Sequence, residues 1–265
     1  MVERAEFESG YTDVESGSLG FRIHSLRSQE ESAGGVPVVF VPGLGASCRT
    51  MLPTARLVPA GRDVHVVDLP GQGDTAAPSR PLGLAEYAAV AAAWLDALRL
   101  ERAVLVGHSF GSQVLVELAA GRPAVLEGLV LVSPTVDPQA RTIASQAGRL
   151  LLDATREPPG LLRLLLHDYS TTGLRGMGDQ ARAAIRDRVE DKLPSIEAPT
   201  LVVRGARDPL VPERWAEQVA SLLPHARLVV VPHGTHAVQY QAPVAVAQAL
   251  EEFLAEPAGS PSPAT

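Results

Sequence analysis

Ser109 sits in Gly107-His108-Ser109-Phe110-Gly111, a G-x-S-x-G pattern that can hold a serine out of a sharp turn between a strand and a helix. A serine hydroxyl is a poor nucleophile on its own. It needs a neighbouring base, and the base needs a third group to orient it. Two later segments supply such groups: Asp208 lies in Gly205-Ala-Arg-Asp-Pro-Leu-Val-Pro212, and His236 in Pro232-His-Gly-Thr-His-Ala237. Together these residue types allow acyl transfer through a covalent serine intermediate, with no metal and no cofactor. The bare pattern also fits a Gly-rich turn carrying an incidental serine, so the surrounding elements decide between the two.

A strand must lead into Ser109 and a helix must leave it. Residues 103–106 form a short, β-branched apolar run that ends at Gly107, and residues 109–120 open a helical segment directly after it. Similar runs at 36–41, 64–68, 129–132, 200–203 and 227–231 read as buried strands closed by turn residues, and 84–98, 213–222 and 244–254 read as helices. The first forty residues also read as strands, with loose alternation over 19–26 and a turn at 28–35. Strands alternating with helices predict an α/β fold with a mostly parallel, doubly wound sheet. Such sheets place their chemistry at the carboxyl ends of the strands. Ser109, Asp208 and His236 each follow a strand on that edge. Gly107 and Gly111 allow close approach at the turn, and the helix N-terminus behind Ser109 offers free N–H groups.

Residues 135–193 break the alternation. Segments 141–157, 161–167 and 180–192 read as helices, separated by Pro158-Pro159-Gly160 and by a Gly-rich turn at 173–178. The expectation is a helical cap over a core made of 1–134 and 194–255. The Pro/Ser/Ala-rich tail at 256–265 reads as disordered.

With these residues in place, the chain resembles the α/β-hydrolase fold superfamily along nearly its whole length. The resemblance implies a nucleophile, acid and histidine in that chain order, matched by Ser109, Asp208 and His236. Asp68-Leu-Pro-Gly-Gln-Gly-Asp74 is similar to the family's loop after its second parallel strand, where the Asp68 position is structural. The implied oxyanion hole uses the backbone N–H groups of Phe110 and of Leu44, in Val41-Pro42-Gly43-Leu44-Gly45, with Gly43 supporting the turn. The family usually has His-Gly where this chain has Pro42-Gly43, so a side chain that often braces the loop is missing. Some members place the acid after the fourth parallel strand, which leaves Asp137 as the alternative to Asp208. A serine rather than an aspartate at position 109 argues against the dehalogenase and epoxide-hydrolase branches. The activity implied is hydrolysis of a small or medium apolar carboxylic ester, thioester or lactone. Capped relatives also hydrolyse the carbon–carbon bond of vinylogous diketones, and cofactor-free haloperoxidases show a perhydrolase reaction. The fold also serves in ligand receptors, which often lose a triad member or an elbow glycine; here all are present.

The remaining candidates have plainer readings. His108 is expected to pack beneath the turn and His233 to brace the loop of His236. His24, His65, His167 and His225 read as surface or core residues, and Trp94 and Trp215 as core. Cys48 reads as a half-buried thiol or part of a pocket wall. Leu150, Leu151, Leu152, Leu161, Leu162, Leu164, Leu165 and Leu166 concentrate in the insertion. They are expected to divide between its own core and an apolar pocket.

Composition narrows the partners. A chain of 265 residues, 46% apolar and 20% charged, can bury one sizeable core. Lys and Arg total 23 against 30 Asp and Glu, a net charge of −7, which does not favour nucleic acid or an acidic membrane surface. A single cysteine excludes a disulfide framework and, by count, a cysteine-based metal site. The start, Met-Val-Glu-Arg-Ala-Glu-Phe-Glu, has no apolar leader, and the longest apolar run, 87–95, is too short to span a bilayer. The expectation is a cytoplasmic protein acting on an apolar acyl small molecule.

Overall fold

The apolar runs lack polar alternation, and those ending at 41, 67, 108, 132 and 205 form strands buried on both faces. The run at 227–231, also expected to be buried, lies at the edge of the sheet and is only half-buried, because it has a neighbouring strand on one side alone. A computed structural model describes residues 5–29 and 34–255, and the expected tail at 256–265 lies outside the described residues. The strands are β1 (Phe7–Ser16), β2 (Leu19–Ser28), β3 (Gly35–Val41), β4 (Arg62–Val67), β5 (Ala103–His108), β6 (Leu126–Val132), β7 (Thr200–Gly205) and β8 (Ala226–Val231). The helices are α1 (Leu52–Ala55), α2 (Leu84–Ala97), α3 (Phe110–Gly121), α4 (Ile143–Ala154), α5 (Pro159–Arg186), α6 (Val189–Lys192), α7 (Glu213–Leu222), α8 (Val238–Gln241) and α9 (Pro243–Ala255).

The strands form one sheet in the order β1-β2-β4-β3-β5-β6-β7-β8. β2 pairs antiparallel with β1 and with β4, and every pairing from β4 to β8 is parallel. Successive side chains leave a strand on opposite faces. Val39, Leu105, Leu129 and Val202 therefore pack on one side with Trp94 of α2, Val114 of α3 and Trp215 of α7. Phe40, Val106, Val130 and Val203 pack on the other with Ala55 of α1 and Leu250 and Phe253 of α9. This is the mostly parallel, doubly wound α/β sheet that the periodicity predicts.

The strand order reverses at β3, whose neighbours are β4 on one side and β5 on the other. The loops after β3 and β5 consequently face each other across a crevice at the carboxyl edge, where such sheets bind ligands. That topology brings Pro42–Gly43 up to Ser109.

Between β6 and β7 the chain is helical, but it is divided differently from the expectation. The Gly-rich turn expected at 173–178 reduces to one break: only Gly173 leaves helical geometry inside α5, with φ 70° and ψ 161°. The helix resumes through Gly176 and Gly178 because Met177 and Gln180 seat this half against Gly45 of the loop after β3. The separation expected at Pro158-Pro159-Gly160 is present between α4 and α5: Pro158 is the N-cap and Pro159 opens α5, since a first-turn residue has no N–H bond to lose. Among the described residues, no helix is long and apolar enough to cross a membrane.

Candidate active site

Ser109 caps α3 with φ 52° and ψ −115°, a conformation that a side-chain-bearing residue adopts only under constraint. Its two glycine neighbours provide the room. A Cβ at Gly107 would lie 2.7 Å from the Ser112 backbone nitrogen, and one at Gly111 would strike the carbonyl oxygens of Val41 and Pro42. Gly43 lies so close on the facing loop that its Cβ would be 3.3 Å from that of Ser109. The elbow and the loop after β3 are thus in van der Waals contact.

The three sequence candidates meet. The Ser109 hydroxyl lies 2.9 Å from His236 Nε2, and His236 Nδ1 lies 2.9 Å from Asp208 Oδ2. The other carboxylate oxygen of Asp208 accepts from the backbone N–H groups of Leu210 and Val211, at 2.8 and 3.1 Å. With a carboxylate at Nδ1, the imidazole carries its proton there and presents a lone pair at Nε2. This arrangement can take the serine proton as the oxygen attacks a carbonyl.

Burial by itself disfavours the charged form of His236. Asp208, followed by Asp153 and Glu157, outweighs that cost and raises its pKa above the ordinary histidine value. Burial likewise pushes Asp208 upward, but His236 and the Val211 amide hold it below the usual carboxylate range. His108 is different. Burial, followed by the neighbouring His236, drives its pKa down to about 3, so it is neutral. Its Nε2–H donates to the His236 carbonyl at 3.1 Å. It packs beneath the elbow and ties that turn to the histidine loop.

Leu44 and Phe110 both line a cavity of about 480 Å³ above Ser109 and His236. Phe110 is the first residue of α3, where the N–H has no intrahelical acceptor. The far wall is built by the insertion, from Leu150 of α4 and Leu161, Leu165 and Met177 of α5. The leucine-rich stretch divides otherwise than expected: Leu150, Leu161 and Leu165 face the cavity, whereas Leu151 and Leu166 are 72% and 70% exposed. Two consecutive leucines on an amphipathic helix cannot share one face, so the surplus points outward.

Several other residues differ from their sequence readings. Asp137 is committed elsewhere: its oxygens accept from Arg149 and Arg214, each at 3.0 Å, and from the Gln139 N–H. The His233 side chain is exposed and makes no hydrogen bond among the described residues. It shapes the loop only through its left-handed backbone, φ 62°. Cys48 is fully buried and stands away from the cavity wall, because its N–H is drawn to Asp68 Oδ1 at 2.6 Å.

Counting cysteines also missed a grouping. Potential ligand atoms of His24, Cys48 and Asp68 lie within 4.8 Å of one another. The His24 and Asp68 side chains are already paired within the protein. Asp68 accepts from His24 Nδ1 at 2.7 Å and from the Cys48 and Asp74 backbones, and His24 Nε2 meets Ser9 Oγ at 2.9 Å. Burial, with Asp68 beside it, keeps the Cys48 thiol protonated well above its usual range. The hydrogen bonds make this group a brace that joins β2 to the loops after β3 and β4.

Two acidic residues near the site carried no sequence signal. Asp153 Oδ1 accepts from the His236 N–H at 3.1 Å, and Glu157 Oε1 from the Ala237 N–H at 3.0 Å. Burial raises both pKa values, that of Glu157 to about 7. They hold the backbone of the histidine loop from the insertion side.

The chain has known relatives. A model of the alpha/beta hydrolase family matches residues 38–249. The chain belongs to this family. It is 31% identical to the pimeloyl-[acyl-carrier protein] methyl ester esterase of Neisseria meningitidis serogroup B over 76% of this chain and 85% of that one. It is 28% identical to RutD of Pseudomonas savastanoi pv. phaseolicola, named for carbamate hydrolysis, over 82% of this chain and 93% of that one. The solved structure of Est816, described as an N-acyl homoserine lactone degrading enzyme, superposes with a TM-score of 0.75 at 25% identity, covering 91% of this chain and 100% of that one.

Proposed function

We propose that the protein is a serine hydrolase that cleaves a small or medium, mostly apolar carboxylic ester, thioester or lactone through an acyl-enzyme. The observation that carries this reading is the continuous hydrogen-bonded chain Ser109–His236–Asp208 on the floor of an apolar cavity. Ser109 Oγ attacks the carbonyl carbon while its proton passes to His236 Nε2. The carbonyl oxygen takes up the displaced electron pair and is held by the Leu44 and Phe110 N–H groups. When the C–O or C–S bond breaks, the leaving group takes the His236 proton. A water molecule, deprotonated by the same nitrogen, then releases the acid and restores Ser109. Asp208 keeps the His236 proton on Nδ1 and stabilises the imidazolium. Residues 135–193 act as the cap whose apolar wall selects the acyl group. The names of the relatives, a methyl ester esterase, a carbamate hydrolase and a lactone-degrading enzyme, share transfer of an acyl group to water and support this scope.

Intact mass after treatment with a fluorophosphonate tests the reading. One adduct is expected on the parent protein and none on Ser109→Ala. Folded parent that gains no mass overturns it.

The pH dependence has a definite sign. Protonated His236 cannot accept the Ser109 proton, so activity is lost below its pKa. That pKa lies above the ordinary histidine value, because Asp208, Asp153 and Glu157 outweigh the cost of burial, and this moves the loss to higher pH. The acid limb of kcat/KM should therefore have its midpoint above about 6.5. A midpoint at or below that value, with the protein still folded, contradicts the assignment. Asp153 contributes to the raising, and its amide analogue can still accept from the His236 N–H. Asp153→Asn should accordingly shift the midpoint downward; an unmoved or upward-shifted limb excludes this electrostatic role.

A further inference from the structure

We propose that Gln72 and Gln180 are positioning residues that aim the Leu44 N–H at the developing oxyanion, an inference that rests on the hydrolase reading above. The argument begins with one peptide group. Gly43 O and the Leu44 N–H belong to the same planar trans unit and point in opposite directions, so whatever fixes the carbonyl also fixes the N–H. Gly43 O accepts from Gln72 Nε2 at 3.0 Å and from the Ala46 N–H at 3.2 Å. The second hydrogen on Gln72 Nε2 goes to Gln180 Oε1 at 3.1 Å, and that same oxygen accepts from the Gly45 N–H at 2.8 Å. Two donors on one amide nitrogen and two lone pairs on one amide oxygen are thereby used in full.

The network allows one orientation of each side chain. A flipped Gln72 would face two carbonyl oxygens with its own oxygen, and a flipped Gln180 would set an NH2 against the Gly45 N–H. Both side chains are buried, Gln72 completely. Leu44 N–H itself makes no hydrogen bond among the described residues, and Leu44 lines the cavity over Ser109. The donor is free, and its direction is set from behind.

The two glutamines come from different parts of the chain. Gln72 lies in the loop after β4, and Gln180 in α5 beyond the break at Gly173. α5 holds the same loop a second time before the break, where Asp168 Oδ2 accepts from the Ser47 N–H at 2.7 Å. Pro42 has no polar side chain to brace this loop. Here the bracing comes from below, through Gln72, and from above, through the insertion.

The test compares Gln72→Met, Gln180→Met, Gln72→Glu, Gln180→Glu and the double Met variant with the parent. Methionine keeps the length of glutamine and removes its hydrogen bonds. The readouts are kcat and KM on p-nitrophenyl butyrate, inhibition by phenylboronic acid and by butyramide, and thermal unfolding. Phenylboronic acid forms a tetrahedral adduct on serine and resembles the transition state, whereas butyramide resembles only the bound ground state. Each Met variant should lose roughly 10- to 100-fold in kcat, the scale of a misaimed donor. The boronate should weaken by a similar factor, with KM and butyramide inhibition within about twofold of the parent. The double variant should lose no more than either single one, because both act on one peptide. Gln180→Glu retains the accepting oxygen and should stay near the parent. Gln72→Glu sets a carboxylate against two carbonyl oxygens and should fare at least as badly as Gln72→Met.

Folded Met variants with parental kcat overturn the proposal, as does equal weakening of boronate and butyramide. Should the Met variants not fold, the two Glu variants decide, and equal activity in them overturns it. A parent that takes up no fluorophosphonate overturns the hydrolase reading itself, whereas a labelled parent with indifferent variants overturns only the aiming role.

Discussion

Ser109→Ala is expected to lower kcat by about 10⁴-fold or more, because the serine, its base and its acid act as a unit. Removing one oxygen takes away the only nucleophile that His236 Nε2 faces at 2.9 Å. A factor of 10⁴ is about 5.4 kcal/mol of barrier. On the proposed mechanism the Leu44 and Phe110 donors remain, so a residue of catalysis by binding and oxyanion stabilisation is expected to survive at a rate too low for useful turnover. The fold should be untouched. Alanine takes the same positive φ as serine, and the elbow is held by Ser109 N–H to Val132 O at 2.9 Å, a backbone bond the substitution leaves in place. Steady-state turnover of p-nitrophenyl butyrate alongside a thermal melt checks both halves. A folded variant within tenfold of the parent would remove Ser109 from the reaction.

Much of the fold and the site is legible in the sequence, for a physical reason. A parallel strand of such a sheet is apolar along most of its length and must end in a turn, so the runs at 103–106 and 200–203, and the half-buried edge run at 227–231, announce their own carboxyl ends. Ser109, Asp208 and His236 stand just past those ends, and their meeting follows from the topology. The supporting residues are of another kind. Gln72 and Gln180 are 108 positions apart, and Asp153 and His236 are 83 apart. Nothing periodic links such pairs. In the sequence, Asp153 and Glu157 look like the solvated acids of an ordinary helix. The Gly-rich stretch at 173–178 misled for a related reason: local propensity favours a turn, and packing of Met177 and Gln180 on the loop after β3 restores the helix.

These hidden contacts change what the insertion is. A lid free to swing would touch the core through apolar side chains alone. Here α5 bonds to the backbone of the loop after β3 at Gly45 and Ser47, and Asp153 and Glu157 bond to the backbone of the loop that carries His236. A backbone N–H accepted by a buried carboxylate is among the stronger uncharged-donor bonds available, and losing it leaves two buried groups unpaired. At the rim of the cavity stand Ile143 of α4 and Leu174 of α5, the latter 94% exposed.

The second large effect belongs to Asp208→Asn, for which a loss of about 10⁴-fold in kcat is expected, as for other triads that lose the carboxylate. The cause is a tautomer, and the surrounding backbone leaves no escape from it. Asp208 Oδ1 accepts from two N–H groups, Leu210 and Val211, at 2.8 and 3.1 Å. In the variant only the amide oxygen can stay there, so the NH2 must take the place of Oδ2 and donate to His236 Nδ1. The imidazole proton then moves to Nε2, and Nε2 can no longer accept from Ser109. Rotating the amide to spare the histidine would set its NH2 against two donors. Nor can Asp137 substitute, because Arg149, Arg214 and the Gln139 N–H already hold its oxygens. The rate of fluorophosphonate labelling should fall together with kcat, since both need the deprotonated serine oxygen. Parallel measurement of Asp137→Asn completes the test. A larger loss there than in Asp208→Asn would move the acid to Asp137, and the opposite ranking follows if the backbone around Asp208 dictates which atom faces the histidine.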